Sequence, residues 1–382
     1  MTSQNVVDVT RPEQMADVLR ALEPVREFSV DVEADSMHHF RARLCFVQLG
    51  TDADIFLTDT LSEGVSPRAL EKLFADPNVT KFFHAAQGDL QYLAEAGVRV
   101  RGLFDTHRAV TLLGWPKNGL ADLVKEKLGA TLKKEHQQAD FSVRPLPPEL
   151  REYISDDVRY LNEVGRWVRE ACVTADILEE VQLDCDRFCE EAAARPDPAA
   201  GFSPKLQRQG MSKETLTTAW HLGQELHKLR LAWAEAEDLP MGRVLSNMAI
   251  SAIAQKLPTD LRTLSKAEGV RGIIVRTHGE EILALINKVQ ADVKSGALVM
   301  PDERKSTDPK RRKREEVLLE WRKKTATARK VAPSVVLSNA LVGELATTPP
   351  QSLETLSKVP FFGQKRSSLY GVALVELLTP FR

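Results

Sequence analysis

Shifted by 92 residues, the C-terminal half of this chain matches itself without a gap. Leu245-Ser246-Asn247 returns as Leu337-Ser338-Asn339, and Leu264-Ser265-Lys266 as Leu356-Ser357-Lys358. Arg230 pairs with Arg322, Pro258 with Pro350, Leu261 with Leu353 and Gly279 with Gly371 at the same offset. Such a repeat is a duplicated structural unit, so this half must form two small cores and not one large one. Helical patterns broken by short Pro and Gly turns make both copies all-α. The run Arg195-Pro196-Asp197-Pro198-Ala199-Ala200-Gly201, with Pro204 following, breaks the helical pattern ahead of them. The chain therefore divides into a domain at residues 1–195, a linker at 196–210, a first copy at 211–292, a second linker at 293–312 and a second copy at 313–382.

The first domain carries three acidic segments. In Phe28-Ser29-Val30-Asp31-Val32-Glu33-Ala34 side chains alternate, so on a strand Asp31 and Glu33 share a face. Val79–Phe83 reads as another strand, and Asp89 falls in the first turns of a helix opening at Gln87. Tyr153 and Asp157 lie four apart in a helical pattern over 148–161, which puts phenol and carboxylate on one side. Four carboxylates at close range raise one another's pKa, a costly arrangement unless cations neutralise it. Hard oxygen ligands suit Mg²⁺ or Mn²⁺, and two such ions can clamp a phosphodiester. Asp31, Glu33, Asp89 and Asp157 are thus candidate catalytic ligands of two divalent metal ions, and Tyr153 is the candidate for orienting the attacking water. Asp156, about 100° round the helix from Asp157, is expected in solvent or behind the ligands.

Asp-x-Glu, then Phe83-His84-Ala85 with Asp89 five residues beyond the His, then Tyr-x3-Asp resemble, in that order, the three motifs of the DEDD exonuclease superfamily in its tyrosine-containing branch. Leu103-Phe104-Asp105-Thr106, Gly119-Leu120-Ala121-Asp122-Leu123-Val124 and Asp140-Phe141-Ser142-Val143-Arg144-Pro145-Leu146 resemble the ribonuclease D family in particular, over residues 5 to 175. Val32 stands where that family more usually has Thr, and Phe141 where it commonly has Trp; neither change removes a ligand. Both repeats resemble HRDC domains, small helical bundles found in nucleases and RecQ-type helicases. The resemblance implies an α/β RNase H-like nuclease domain with a mixed sheet, followed by two all-α HRDC bundles. It also implies a 3′-5′ exoribonuclease that trims structured RNA such as tRNA precursors and releases 5′-mononucleotides. A DNA exonuclease shares the same motifs. A binding protein with a decayed nuclease domain is the third reading, and the complete set of carboxylates argues against it.

The net charge of -2 offers a polyanion no general attraction, but residues 304–330 hold 12 Lys or Arg against 4 Asp or Glu. Its densest part, Lys310-Arg311-Arg312-Lys313-Arg314, is either a solvated linker and helix start or a phosphate-binding run, and the nuclease domain ahead of it favours the second. Expected substrate contacts are Val32, His84, Lys134, Arg144, Lys310, Arg311 and Arg312, with His84 and the charged loop residues Asp140, Lys134 and Arg144 also explicable as structural or exposed. Asp105 fits a helix N-cap. His38 and His39 read as surface residues. Cys45, Cys172, Cys185 and Cys189 lack the partners of a zinc site and read as reduced, buried thiols. No apolar stretch approaches the roughly 18 residues of a membrane span, and the N-terminus lacks a signal-like pattern. A cytoplasmic protein, monomeric and partnered by RNA, is the expectation.

Overall fold

A computed structural model describes residues 4–132, 136–194, 202–207, 209–300 and 309–381. The chain forms two compact units. One takes residues 1–35, 44–195 and 307–382, the other residues 36–43 and 196–306.

In the first unit β1 (Asn5–Val9), β2 (Glu27–Ala34), β3 (Leu44–Gly50), β4 (Asp54–Asp59), β5 (Thr80–Phe83) and β6 (Leu103–Asp105) make one mixed sheet in the order β1-β4-β3-β2-β5-β6. The middle pairs are antiparallel and the outer pairs parallel. Eight helices accompany it: α1 (Gln14–Leu22), α2 (Glu71–Phe74), α3 (Gln87–Glu95), α4 (Thr106–Leu113), α5 (Leu120–Leu128), α6 (Pro148–Arg159), α7 (Leu161–Thr174) and α8 (Leu178–Ala193). The alternation of β2 divides two cores. Phe28, Val30 and Val32 join Val47, Leu49 and Phe56 in the larger one. On the opposite face Phe46, Ile55 and Leu57 pack with Ile154 and Val158 of α6, and there Ser29, Asp31 and Glu33 point.

Two polar ties hold the end of α6 and the start of α7 on that face. The Ser29 hydroxyl donates to the Val158 carbonyl at 2.7 Å, and the Asn162 amide donates to the Gly50 carbonyl at 2.8 Å. A Cβ on Gly50 would lie 2.4 Å from the Ser29 oxygen and 2.9 Å from the Val158 carbonyl, so no larger residue leaves room for this approach.

Each repeat has the same five helices. The first runs α9 (Lys213–Ala236), α10 (Met241–Val244), α11 (Asn247–Lys256), α12 (Leu261–Leu264) and α13 (Gly272–Lys294); the second runs α14 (Pro309–Arg329), α15 (Pro333–Val336), α16 (Asn339–Thr347), α17 (Leu353–Ser357) and α18 (Gln364–Leu378). The repeated residues hold corresponding joints. Arg230 donates to the Leu245 carbonyl and to Asn247 Oδ1 at 3.0 and 2.6 Å, and Arg322 donates to Leu337 and Asn339 at 3.1 and 2.8 Å. Ser246 and Ser338 cap α11 and α16. A Cβ on Gly279 would stand 2.5 Å from Leu261, and one on Gly371 2.8 Å from Leu353. Each glycine thus admits the leucine that recurs with it.

The copies differ in what they rest on. The Lys365 backbone N–H donates to Glu179 of α8 at 3.0 Å, and its Nζ lies 3.3 Å from Glu180 and 3.1 Å from the Asp176 carboxylate. Gly363, at φ +87°, fits against Glu179 and Leu183, where a Cβ would approach both to 2.5 Å. In the first copy Ile273 stands at the position of Lys365.

Three stretches lie differently from the expected boundaries. α14 begins at Pro309, so Lys310, Arg311 and Arg312 sit in a helix and not in a linker. Residues 202–207 lie along α11, with Lys205 N–H donating to Ser251 Oγ and Gln207 N–H to Gln255 Oε1. Residues 36–43 join the first helical copy: Phe40 packs against its core, His39 Nδ1 is 2.7 Å from Asp238, and Arg41 is 2.7 Å from Glu235. Among the described residues no helix is long and apolar enough to cross a membrane. The four cysteines are free thiols.

Candidate active site

β2 and α6 bring three carboxylates to one place. Oxygens of Asp31, Glu33 and Asp157 all lie within 4.8 Å of one another. Among the described residues no Lys, Arg or His is paired with any of them or with Asp89. Burial pushes Asp31 up to about 7. Burial and then the neighbouring negative charges push Glu33 up to about 10 and Asp157 to about 8. Asp89, in the first turn of α3, stands outside the tight group of three but within its field. Its carboxyl is held well above the ordinary range by burial, then by Asp31, Asp105 and Asp157. Half-buried hard oxygens without a counter-cation are the donor set that divalent ions satisfy, so these residues fit such a centre.

Asp105 sets the position of Asp89. Its carboxylate accepts from the N–H groups of Ala85 and Ala86, both at 3.0 Å, and from those of His107 and Arg108 at 2.9 and 3.2 Å. It therefore caps α4, as the sequence suggested, and ties the entry of α3 to it, with Ala85 in the left-handed region at φ +65°. His84 Nδ1 lies 2.9 Å from the Thr106 hydroxyl. Burial, then the His107 ring, lower its pKa to about 4, so the imidazole is neutral at physiological pH.

Tyr153 lies one helical turn before Asp157. Burial, followed by the charges of Asp157, Glu33 and Asp31, raises the pKa of its phenol far above the usual value. Its ring stacks on Phe141, with centroids 6.1 Å apart, and meets the His136 ring in a T-shaped contact. The residue that departs from the family's common Trp thus still packs the phenol. A cavity of about 360 Å³ opens on Asp31, Glu33, Tyr153 and Asp157, and Val32 and His84 also line it.

The remaining expected residues are placed as follows. Lys134 lies outside the described residues. Arg144, expected at the substrate, is engaged within the fold: it donates to both oxygens of Asp59 at 2.6 and 2.7 Å, and to the Phe141, Val143 and Cys45 carbonyls. Its guanidinium also covers the Phe46 ring, so its charge and donors are used within the fold. Lys310, Arg311 and Arg312 are exposed on α14, with Arg312 3.5 Å from Glu316. Asp156 pairs with Arg159 at 2.7 Å. Sequence reasoning missed Ser29, whose seating of α6 aligns Asp157 with β2. A polar residue in the same alternating set as Asp31 and Glu33 was the available signal. It also gave no role to Gly119 and Leu120, which line the cavity.

Residues 6–166 match a family described as 3′-5′ exonuclease, and residues 221–286 and 311–378 each match the HRDC domain. Exosome complex component 10 of Mus musculus is 28% identical over 265 residues, which is 66% of this chain but 29% of that protein. The chain thus spans under a third of that relative's length. Ribonuclease D of Gluconacetobacter diazotrophicus is 30% identical over 297 residues, 76% of this chain and 73% of that protein. Among solved structures, Escherichia coli RNase D, described as an exoribonuclease involved in structured RNA processing, shares the fold with a TM-score of 0.70 at 23% identity over 99% of both chains. The catalytic core of RRP6 from Trypanosoma brucei gives 0.59 at 24% identity, covering 78% of this chain and 82% of that one. With the exonuclease region and two HRDC regions in this order, and a bacterial relative matched over nearly three quarters of its length, the chain belongs to the ribonuclease D family.

Proposed function

We propose that this protein is a metal-dependent 3′-5′ exoribonuclease that trims the 3′ ends of structured RNA, tRNA precursors among them, and releases 5′-mononucleotides. The observation that carries the reading is the group of three half-buried carboxylates from two elements with no cation paired to them among the described residues. Asp31, Glu33, Asp89 and Asp157 would hold two divalent ions, Mg²⁺ or Mn²⁺. When bound, such ions supply Lewis-acid activation of water and neutralise charge on the phosphodiester and its leaving oxygen.

The chain's own groups do the rest. Tyr153 hydrogen-bonds the attacking water and orients it, held in place by Phe141. The neutral His84, anchored on Thr106, presents an uncharged edge to the terminal nucleotide. Val32 lines the floor on which that nucleotide rests. Lys310, Arg311 and Arg312 bind RNA phosphates, a role supported by their exposure on one short helical stretch. Reversing their charge should weaken binding and flatten its salt dependence, by about 0.7 in log-log slope for each phosphate no longer engaged.

The test is incubation with a 3′-extended tRNA and a matched DNA strand, with and without Mg²⁺ or Mn²⁺. Stepwise shortening of the RNA that needs the metal is expected. Internal cuts, metal-independent cleavage or equal degradation of the DNA would each sink the reading.

A further inference from the structure

Gln48 is fully buried, and neither its amide nitrogen nor its carbonyl oxygen has a hydrogen-bond partner among the described residues. It lies in β3 directly opposite Asp31 of β2, and its other cross-strand neighbour is Leu57. Directly opposed residues on antiparallel strands put their side chains on the same face, with Cβ atoms about 4.5–5.5 Å apart. The carboxamide therefore shares the α6 face with Phe46, Leu57, Ile154 and Val158. An apolar side chain of equal size would pack there without the cost of a buried unsatisfied polar group. Ser29, the nearby hydroxyl on that face, already donates to the Val158 carbonyl.

We propose that Gln48 is a positioning residue of the metal centre: its amide N–H donates to the Asp31 carboxylate when that carboxylate ligates a divalent cation, and so fixes which oxygen faces the ion. Ligating carboxylates are usually held by hydrogen bonds of their own, and a cross-strand glutamine is long enough to supply one. This rests on the metal-centre reading above.

Gln48→Met keeps length and volume and removes the amide. In the metal-free protein its melting temperature should equal or exceed that of the wild type. Its Mn²⁺ affinity, followed by the paramagnetic resonance of free Mn²⁺, should fall about 10- to 100-fold. At saturating Mn²⁺, kcat should fall with KM for RNA unchanged. Wild-type Mn²⁺ affinity in Gln48→Met would overturn the proposal. So would a variant that fails to fold or melts several degrees lower without metal, because the amide would then serve packing alone. Asp31→Asn separates the two readings: if it binds Mn²⁺ as well as the wild type does, the metal centre itself is wrong and Gln48 falls with it, whereas loss in Asp31→Asn with none in Gln48→Met condemns only the glutamine.

Discussion

The first unit buries carboxylates in two different ways. In the frame three have guanidinium partners, while Asp105 is held by backbone N–H groups: Asp59 takes both donors of Arg144, Glu27 lies between Arg166 and Arg169, and Asp184 receives Arg108. Burial alone would raise Asp59 and Glu27, but the guanidinium hydrogen bonds and charges hold both below the ordinary carboxylate range. In the cavity burial acts without that opposition, and Asp31, Glu33, Asp89 and Asp157 all move upward. The fold thus has guanidinium groups available for buried acids and leaves one cluster without them. That electrostatic strain is relieved by protons or by metal ions, which makes the cluster a place for exchangeable cations.

The contrast can be broken by removing members of either set. Asp31→Asn or Asp89→Ala should abolish cleavage, leave RNA binding largely intact and leave the metal-free protein no less stable, since each deletes a like charge; persistent Mg²⁺-dependent cleavage in either would refute the assignment. Tyr153→Phe removes a hydrogen bond but no ligand, so single-turnover rates should fall by about 10² to 10⁴, less than for Asp157→Ala. An unchanged rate would remove Tyr153 from the chemistry. Arg144→Ala belongs to the other set. It strands Asp59 and should cost about 2 kcal/mol in denaturant unfolding, with cleavage by the folded protein little altered. Weaker RNA binding at unchanged stability would instead return Arg144 to the substrate.

The smallest effect is a dependence on pH. A carboxylate whose folded pKa is raised contributes stability that is complete below its unfolded value, about 4, and lost as pH rises through the folded value. Those values are about 7 for Asp31, 8 for Asp157 and 10 for Glu33. Asp59 and Glu27 act in the opposite sense, losing their contribution as pH falls below the ordinary carboxylate range. The metal-free melting temperature should therefore decline as pH rises from about 4 to about 10, and Mn²⁺ should flatten the decline because binding releases protons. A profile indifferent to both pH and metal would erase the distinction between the two sets.

Much of the site was legible because its periods are local. Asp31 and Glu33 two apart on β2, and Tyr153 and Asp157 four apart on α6, needed only strand and helix geometry. What was not legible depends on distant partners. The stance of Asp89 is set by Asp105, 16 residues on, through the turn at Ala85 and Ala86. Arg144 reads as a free cation until Asp59, 85 residues earlier, is placed beside it. β1 and β6 went unread, the first a largely half-exposed edge and the second only three residues long, too short for alternation to show. The offset of 92 found the joints common to the two repeats but not the loops in which they diverge, because a repeat reports what is kept.

The seat of the second copy on α8 also has a consequence in time. Glu180 and Lys365 are 185 residues apart in the chain. At about 5–20 residues per second, synthesis delivers the lysine roughly 10 to 40 seconds after the glutamate. During that interval the ribosome makes the whole of the first helical copy, and every catalytic candidate has already been synthesised. The acidic flank of α8 waits uncovered throughout. A chain that stopped short of Lys365 would therefore carry its full set of reactive groups and lack the seat on α8, and quality control of such chains would have to recognise the missing seat, since no missing active-site residue would betray them.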